Sequence, residues 1–157
     1  MKQIVLFCVV IFTVGLSCGE QLNESSVPVA VKNEFIKKYP NARDIEWSKE
    51  NETEFEAEFK NGSLEQAANF DTTGNWVVTE TKVKKSDLPA LVTAAIETDF
   101  AGYKIEAIER VEKPNNEDFF EVTVEKDKKK YHVQVSPQGK ILKKEEDKEE
   151  KGEKEKD

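Results

Sequence analysis

The segments FDTTGNW, residues 70–76, and VSPQGKI, residues 135–141, are two versions of one turn. Each begins at an apolar strand end, passes through a polar turn and returns to a large apolar residue. Gly74 in the first and Gly139 in the second stand 65 positions apart, where the turn needs a residue that tolerates positive φ. Two copies of one turn predict two copies of one structural unit.

A helix is predicted ahead of each turn, because apolar residues recur there at a spacing of four, as on one face of an amphipathic helix. In the first copy these residues are Val27, Val31, Phe35 and Tyr39, and in the second, 61 positions later, they are Leu88, Val92, Ile96 and Phe100. Ser26 and Ser86 are predicted N-caps, and Pro28 and Pro89 suit the first helical turn. The next proline ends the first helix, which is predicted over residues 27–39.

After each helix the apolar spacing changes to two, which is typical of a strand with one apolar face. In TEFEAEFK, residues 53–60, phenylalanine and alanine alternate with glutamate, and the Asn61-Gly62 pair that follows is a strong hairpin signal. Residues 120–125 and 131–135 alternate in the same way. Each copy is therefore predicted to contain several short antiparallel strands.

These periodicities predict an α+β fold, a tandem repeat of a helix packed on an antiparallel β-sheet of about four strands. The first repeat is predicted over residues 27–85 and the second over residues 86–142. In such a fold one sheet face packs on the helices and the other faces water. The polar residues predicted to face water form a candidate partner-binding face, consisting of Glu56, Glu58, Thr79, Thr81, Glu121, Thr123, His132 and Gln134.

The chain begins with the pattern of a secretory signal, a basic residue followed by an uncharged apolar run over residues 4–14 that is too short to span a bilayer. The VGLSC segment resembles a bacterial lipobox, in which a signal peptidase cuts before a cysteine that is then lipidated, although Leu16 is displaced by one place. We therefore predict a lipoprotein-type signal peptide over residues 1–17, with Cys18 as the lipidation site. Ordinary cleavage after Gly19 is the alternative.

The polar residues 18–26 predict a tether, and the charged residues 143–157 predict a disordered tail that can bury no apolar surface. A solvated helix held by Glu–Lys pairs is the alternative for the tail. The formal net charge of the whole chain is −8, and removal of residues 1–17 takes away Lys2 and leaves −9. Such acidity disfavours nucleic acid and anionic lipid headgroups as partners. Membrane association is therefore predicted only through the lipid at Cys18.

The capped helices, the YPNA segment at residues 39–42, the alternating strands and the Asp-x-x-Gly-like turns together resemble the PepSY-like family of exported bacterial proteins, described as β-lactamase-inhibitor-like. The resemblance covers residues 27–144. The resemblance implies a tandem α+β protein of the cell envelope or exterior, without established catalytic residues. We expect no cofactor, and we expect the protein in the cell envelope of a Gram-negative bacterium, lipid-anchored at Cys18 or else periplasmic or secreted. By similarity to the β-lactamase inhibitor protein, the resemblance also implies that the sheet binds a protein partner, whose identity the sequence leaves open.

No catalytic constellation accompanies the candidate face. His132 is the single histidine, and a solvated surface position is favoured for it over a pH-sensing or ligand role. A zinc shell lacks further histidine or cysteine ligands, and the strand glutamates lack the loop geometry of a calcium site. The sequence thus predicts a non-catalytic exported module that binds a protein and possesses no metal site. The alternative is an envelope protein that binds or senses a small molecule or metal ion.

Overall fold

The computed structural model describes residues 20–147, which form nine strands and two ten-residue α-helices. The helices are α1 Val29–Lys38 and α2 Ala90–Asp99. The strands are β1 Glu20–Leu22, β2 Ala42–Lys49, β3 Glu54–Asn61, β4 Leu64–Asp71, β5 Trp76–Lys82, β6 Lys104–Glu112, β7 Phe119–Lys126, β8 Lys129–Val135 and β9 Ile141–Glu146. Short 3₁₀ turns occupy Glu24–Ser26, Lys85–Asp87 and Pro114–Asn116.

The strands of residues 20–147 belong to one antiparallel sheet, in which the strand order β1 to β9 follows the order of the chain. The prediction of a tandem repeat, each copy a helix on a sheet of about four strands, is therefore wrong. A four-stranded sheet would end at open edges, whose unpaired N–H and C=O groups readily take another strand. Alternation within a segment reports which face is apolar, but it cannot show whether neighbouring strands continue one sheet.

The described residues divide into two compact units between Val77 and Val78, ahead of the boundary predicted between residues 85 and 86. In the first unit, α1 contributes buried residues to a core that is mostly aromatic. Phe35 lies at the centre of this core, and its ring centroid is 5.0 Å from that of Phe59 and 5.2 Å from that of Trp47. The core residues of this unit are Val27, Val31, Phe35, Tyr39, Trp47, Phe55, Ala57, Phe59, Ala68 and Phe70.

In the second unit, α2 packs on a core that is mostly aliphatic. Val92 of the helix is completely buried, as are the core-facing valines of β7 and β8. These core residues are Leu88, Val92, Ile96, Phe100, Ile108, Phe120, Val122, Val124, Val133 and Val135. The apolar spacings of two and four found in the sequence therefore mark the residues that meet in each core.

The helix starts differ from the prediction. Pro28 and Pro89 occupy the N-cap positions, with φ of −56° at each, and neither helix has a side-chain cap. Ser26 instead ends a 3₁₀ turn, and Ser86 lies inside another, where its hydroxyl contacts Asp87. The fixed φ of proline suits the entry to a helix, so a preceding serine is not needed as a cap.

The two glycine turns, in residues 70–76 and 135–141, lie directly against the helices of their own units. Gly74 has a φ of +92°, and a Cβ added to it would lie 2.8 Å from the carbonyl oxygen of Ala30 in α1. Gly139 has a φ of +79°, and a Cβ there would lie 2.5 Å from the carbonyl oxygen of Leu91 in α2. Both turns therefore need glycine for two reasons, backbone conformation and the closeness of the helix.

Asp71 organises the first of these turns. Its carboxylate accepts hydrogen bonds from the backbone N–H groups of Thr73 and Asn75, at 2.8 and 2.9 Å, and from both side chains. Hydrogen bonds to the Thr73 and Asn75 side chains are the main reason that the pKa of Asp71 falls to about 2. The turn therefore keeps its charged acceptor well into the acid range.

Parts of the predicted tether and tail form regular structure. β1 lies within residues 18–26 and pairs with β2, and residues 143–146 form most of β9, which pairs with β8. The prediction of a disordered tail is therefore wrong for residues 143–146. Backbone pairing with β8 orders this segment, although it contains no apolar residue. The signal peptide, Cys18 and residues 148–157 of the tail lie outside the described residues.

Candidate functional site in the second unit

The second unit presents polar side chains on the sheet face opposite its core. On β7, Glu121 and Thr123 alternate with core residues. The antiparallel register places Glu121 between Glu109 of β6 and Gln134 of β8, and it places His132 directly opposite Thr123. Lys82 of β5 lies opposite Glu109. We call this group the polar face; it consists of Lys82, Glu109, Glu121, Thr123, His132 and Gln134.

His132 is buried within the polar face, where only 7% of its surface is exposed, so the prediction of a solvated histidine is wrong. Its Nδ1 lies 3.2 Å from the Thr123 hydroxyl and 3.8 Å from a carboxylate oxygen of Glu121. Its Nε2 lies 3.9 Å from a carboxylate oxygen of Asp147 and makes no hydrogen bond within the described residues. The pairing of β9 with β8 accounts for the burial, because β9 places Glu145 opposite His132.

Glu109 and Glu121 are like charges at directly opposed positions of neighbouring strands, an arrangement that destabilises a sheet. Desolvation by burial, with a further contribution from the charge of Glu121, raises the pKa of Glu109 to about 7, and Lys82 only partly opposes this. Gln134 donates a hydrogen bond of 3.3 Å to Glu121. The polar face therefore holds a carboxyl group that changes charge near neutral pH.

Lys113, which follows β6, lies within the same electrostatic environment. Burial lowers its pKa, and the charges of Glu117, Glu80 and Glu121 oppose that change. A lysine and several carboxylates thus share a partly dehydrated surface, where each charge affects the others more strongly than it would in water.

The predicted face residues of the first unit are described separately. Glu56 is almost completely buried, and Ser48 of β2 donates a hydrogen bond of 3.4 Å to its carboxylate. The register also places Asn69 of β4 beside Glu56, and Glu58 lies half-buried opposite Ala67. These glutamates do share the face opposite the core, but Glu56 is not the solvated residue that was expected.

Thr79 and Thr81 do not belong to the polar face. They lie opposite Glu112 and Arg110 of β6, and Arg110 in turn lies opposite the core residue Phe120. Both threonines are therefore on the core side of the sheet, where 2% and 5% of their surfaces are exposed. Sequence alternation assigns polar side chains to the outer face of a sheet. That assignment is wrong for Thr79 and Thr81, which are buried on the core side.

Glu109 and Asp147 are the members of this site that the sequence prediction missed. Ile105 and Ile108 are both core-side residues three positions apart, because the register shifts between Ile105 and Ala107. This β-bulge hides the alternation that would have assigned Glu109 to the outer face. Asp147 was missed because the segment before it was assigned to the disordered tail. Among residues 20–147, no cluster of three or more histidine, cysteine, aspartate or glutamate residues is placed to hold a metal ion.

Glu109→Gln should reduce the dependence of stability on pH. The folded pKa of about 7 is above the ordinary value of 4.5, so proton binding favours the folded state between these values. The free energy of unfolding of the wild-type protein should consequently fall as pH rises from about 5 to 8, by roughly 3 kcal/mol for this group. Urea unfolding at both pH values would measure the fall, and Glu109→Gln should lose most of it.

The matched control is Glu106→Gln, which removes an exposed carboxylate from the same strand and should keep the wild-type profile. Parallel profiles for the wild-type protein and Glu109→Gln would show that burial of Glu109 does not affect its proton binding.

Residues 17–66 and 53–143 match the family described as "Putative beta-lactamase-inhibitor-like, PepSY-like". The chain belongs to the PepSY-like family. The resemblance found in the sequence is thereby confirmed over most of the described residues. Among curated proteins, none matches this PepSY-like chain.

Several solved structures share the fold of this PepSY-like protein. A BLIP-like protein from Bacteroides fragilis NCTC 9343 is 27% identical, with a TM-score of 0.69 and coverage of 77% of this chain and 88% of that one. A DUF2874 family protein from Bacteroides ovatus ATCC 8483 is 28% identical, with a TM-score of 0.71 and coverage of 76% and 86%. A protein from Bacteroides eggerthii DSM 20697, described as one of the "putative periplasmic proteins", is 23% identical, with a TM-score of 0.72 and coverage of 76% and 88%. Across residues 20–147 of this PepSY-like protein, no helix is long and apolar enough to cross a membrane.

Proposed function

We propose that this PepSY-like protein is a non-catalytic, exported module that binds another protein through the polar face of its second unit. The observation that carries the proposal is the pair Glu109 and Glu121, two opposed carboxylates on neighbouring strands, one of which is desolvated enough to raise its pKa to about 7. Groups with strongly shifted pKa values concentrate at functional sites.

The energetics of this pair favour a partner that brings positive charge or hydrogen-bond donors. In the free protein, Glu109 is opposed by Glu121 on one side and Lys82 on the other, and its raised pKa shows that Lys82 does not offset the cost of ionisation. A lysine or arginine side chain of a partner, placed against both carboxylates, would supply the missing compensation. Binding energy would then come from relief of an unfavourable arrangement as well as from new contacts.

The family description and the BLIP-like neighbour support a protein as the partner rather than another class of ligand. Inhibition of an enzyme is the more specific form of this proposal. It requires that the partner be an enzyme and that its activity fall when the polar face is occupied.

The proposed location is the cell envelope of a Gram-negative bacterium, with lipidation at Cys18 and a soluble periplasmic form as the alternative. The amino-terminal sequence and the description of the Bacteroides eggerthii neighbour support export. The mass of the mature amino terminus, measured on protein from the host's own membranes, distinguishes the two: acyl chains on Cys18 establish the anchor, and a free terminus near Glu20 rules it out.

The test of binding is affinity capture of a partner from host envelope extract with the mature chain as bait. The wild-type bait should recover a stoichiometric partner, and the double variant Glu109→Gln, Glu121→Gln should bind that purified partner about tenfold more weakly or worse, because charged groups then no longer pair. Binding to the wild-type protein should also weaken as ionic strength rises.

Glu97→Gln provides the matched control, because Glu97 is an exposed carboxylate on α2, away from the polar face, and this variant should bind as the wild type does. The proposal fails if folded bait recovers no stoichiometric partner, or if the double variant binds the purified partner as tightly as the wild type. If the partner is an enzyme, undiminished activity in the saturated complex excludes inhibition while leaving the binding role intact.

A further inference from the structure

His132 occupies a position where it can connect three segments of the second unit. It lies in β8, between β7 and β9, and its two ring nitrogens face different carboxylates. Nδ1 lies 3.8 Å from Glu121 of β7, and Nε2 lies 3.9 Å from Asp147, which immediately follows β9. A single imidazole thus lies between an inner strand of the sheet and the end of the last described strand.

The neutral imidazole of His132 leaves one of its two ring nitrogens without a hydrogen bond within the described residues. Its Nδ1 lies within hydrogen-bond distance of the Thr123 hydroxyl at 3.2 Å, but its buried Nε2 makes no hydrogen bond within the described residues. An unsatisfied buried nitrogen is unfavourable in either neutral tautomer, whether it presents an N–H group or a lone pair. The imidazolium carries an N–H group at each nitrogen, and a movement of about 1 Å would bring each within hydrogen-bond distance of a carboxylate.

The other charges near the ring are known for each neighbouring segment. On β9, Glu145 lies opposite His132 and Lys143 lies opposite Gln134, and these two form an ion pair of 2.9 Å with each other. On β8 itself, Lys130 lies 3.9 Å from Asp147 and competes for that carboxylate. Behind β7, Glu109 of β6 faces Glu121. Lys82 lies opposite Glu109, and Lys113 interacts with the charges of Glu121 and Lys143. The charged groups next to the two ring nitrogens are nevertheless carboxylates, at 3.8 and 3.9 Å.

We propose that His132 is a proton-dependent clamp on β9, in which the imidazolium bonds Glu121 on one side and Asp147 on the other and so fastens the end of β9 to the sheet. Histidine is the side chain whose charge ordinarily changes between pH 5 and 8. β9 is therefore held more firmly under mildly acidic than under mildly alkaline conditions.

β9 is the strand on which such a clamp would have most effect. It is the last strand in the order of the sheet, and every residue after Ile141 in it is exposed. On the core side of β9, Ile141 packs against the core of the unit. Lys144 adds a charged contact on that side, since its Nζ lies 4.1 Å from the ring centroid of Tyr131 and 4.8 Å from that of Phe100. That attachment keeps its charge throughout pH 5 to 8, so it does not supply a dependence on pH.

Hydrogen exchange of the β9 amides in the full-length protein tests the clamp. After correction for the intrinsic exchange rate, the protection of β9 should rise about tenfold more than that of β7 when pH falls from 8 to 5.5, since bonds to charged groups are the stronger ones. The proton signals of the single imidazole, followed by nuclear magnetic resonance, should change over the same pH interval.

Two variants and a control make the test specific. Asp147→Asn removes the charged partner of Nε2 at a half-buried position after the strand, and His132→Gln removes the imidazole ring; both should abolish the extra rise in protection. Glu146→Gln removes a carboxylate from the other face of the same strand, opposite Tyr131, and should retain it. An equal rise in the wild-type protein and in Asp147→Asn would overturn the proposal, as would β9 protection that follows β7 at every pH. This outcome is independent of whether the polar face binds a partner.

Discussion

Gly139→Ala should lower the free energy of unfolding by about 4 kcal/mol or more, one of the largest effects expected of a single methyl group in this chain. Two costs add. The φ of +79° is unfavourable for a residue with a Cβ, and the new carbon would lie 2.5 Å from the carbonyl oxygen of Leu91. Because that oxygen belongs to the backbone of α2, a change of rotamer cannot relieve the overlap, and the helix must move away from the sheet. Urea unfolding monitored by circular dichroism would measure the loss.

The chain contains its own control for this prediction. Gly62 has a φ of +65°, but a Cβ there would meet nothing within 4 Å, so Gly62→Ala should show the conformational cost alone, about 1 kcal/mol. Gly74→Ala, with its overlap against Ala30 in α1, should resemble Gly139→Ala. Equal losses for Gly62→Ala and Gly139→Ala would mean that the close approach of the helix contributes nothing.

Phe35→Ala should destabilise the protein by about 4 kcal/mol, because it removes a large buried ring and leaves a cavity that its neighbours cannot fill. Phe35 is 1% exposed, and its ring contacts four other aromatic rings at centroid distances between 5.0 and 6.1 Å. Those partners are Tyr39, Trp47, Phe59 and Phe70. The loss includes the edge-to-face interactions with Trp47, Phe59 and Phe70 as well as the transfer of the phenylalanine side chain to water.

Ile36→Ala is the matched control for Phe35→Ala, since Ile36 follows Phe35 in α1 and is 61% exposed. It should change the free energy of unfolding by no more than about 0.5 kcal/mol in the same urea experiment. A small loss for Phe35→Ala would show that the aromatic core of the first unit rearranges around the missing ring.

The sequence predicts those parts of the fold that depend on local spacing. The first helix was expected over residues 27–39 and is present as Val29–Lys38, with Val31 and Phe35 buried as the four-residue spacing indicates. The hairpin at Asn61-Gly62 was expected as well, and β3 and β4 pair across it. These features depend on neighbours within a few residues, so a single sequence contains the information needed.

What the sequence does not reveal depends on contacts between distant residues. The joining of all strands into one sheet is decided by hydrogen bonds between strands, which leave no periodic mark in the residues concerned. β9 shows this most clearly, because Lys143 to Glu146 have a composition typical of disorder and are nevertheless paired with β8. A polar composition predicts that side chains are exposed to solvent. It does not prevent the backbone of the segment from forming strand hydrogen bonds with a neighbouring strand.

The sequence predicts the candidate site only in part, because some of its residues are brought together by contacts between distant segments. Glu121, Thr123, His132 and Gln134 were placed on a common face by simple alternation, and the register between β7 and β8 does bring them together. The role of that face as a partner-binding surface stays a prediction. Glu109 was missed because the β-bulge in β6 interrupts the alternation of apolar and polar residues. The burial of His132 could not be predicted because it depends on the pairing of β9 with β8.

The coincidence of strand order with chain order also affects how the molecule can be assembled. Each strand from β2 to β9 is hydrogen-bonded to the strand that directly precedes it in the chain, so the sheet can grow at one edge as the polypeptide becomes available. No strand has to be inserted between two that have already paired, and hairpin contacts between near neighbours form faster than contacts that close long loops. A chain that crosses a membrane unfolded, with its amino terminus leading, would therefore be able to build this sheet in the order in which it arrives.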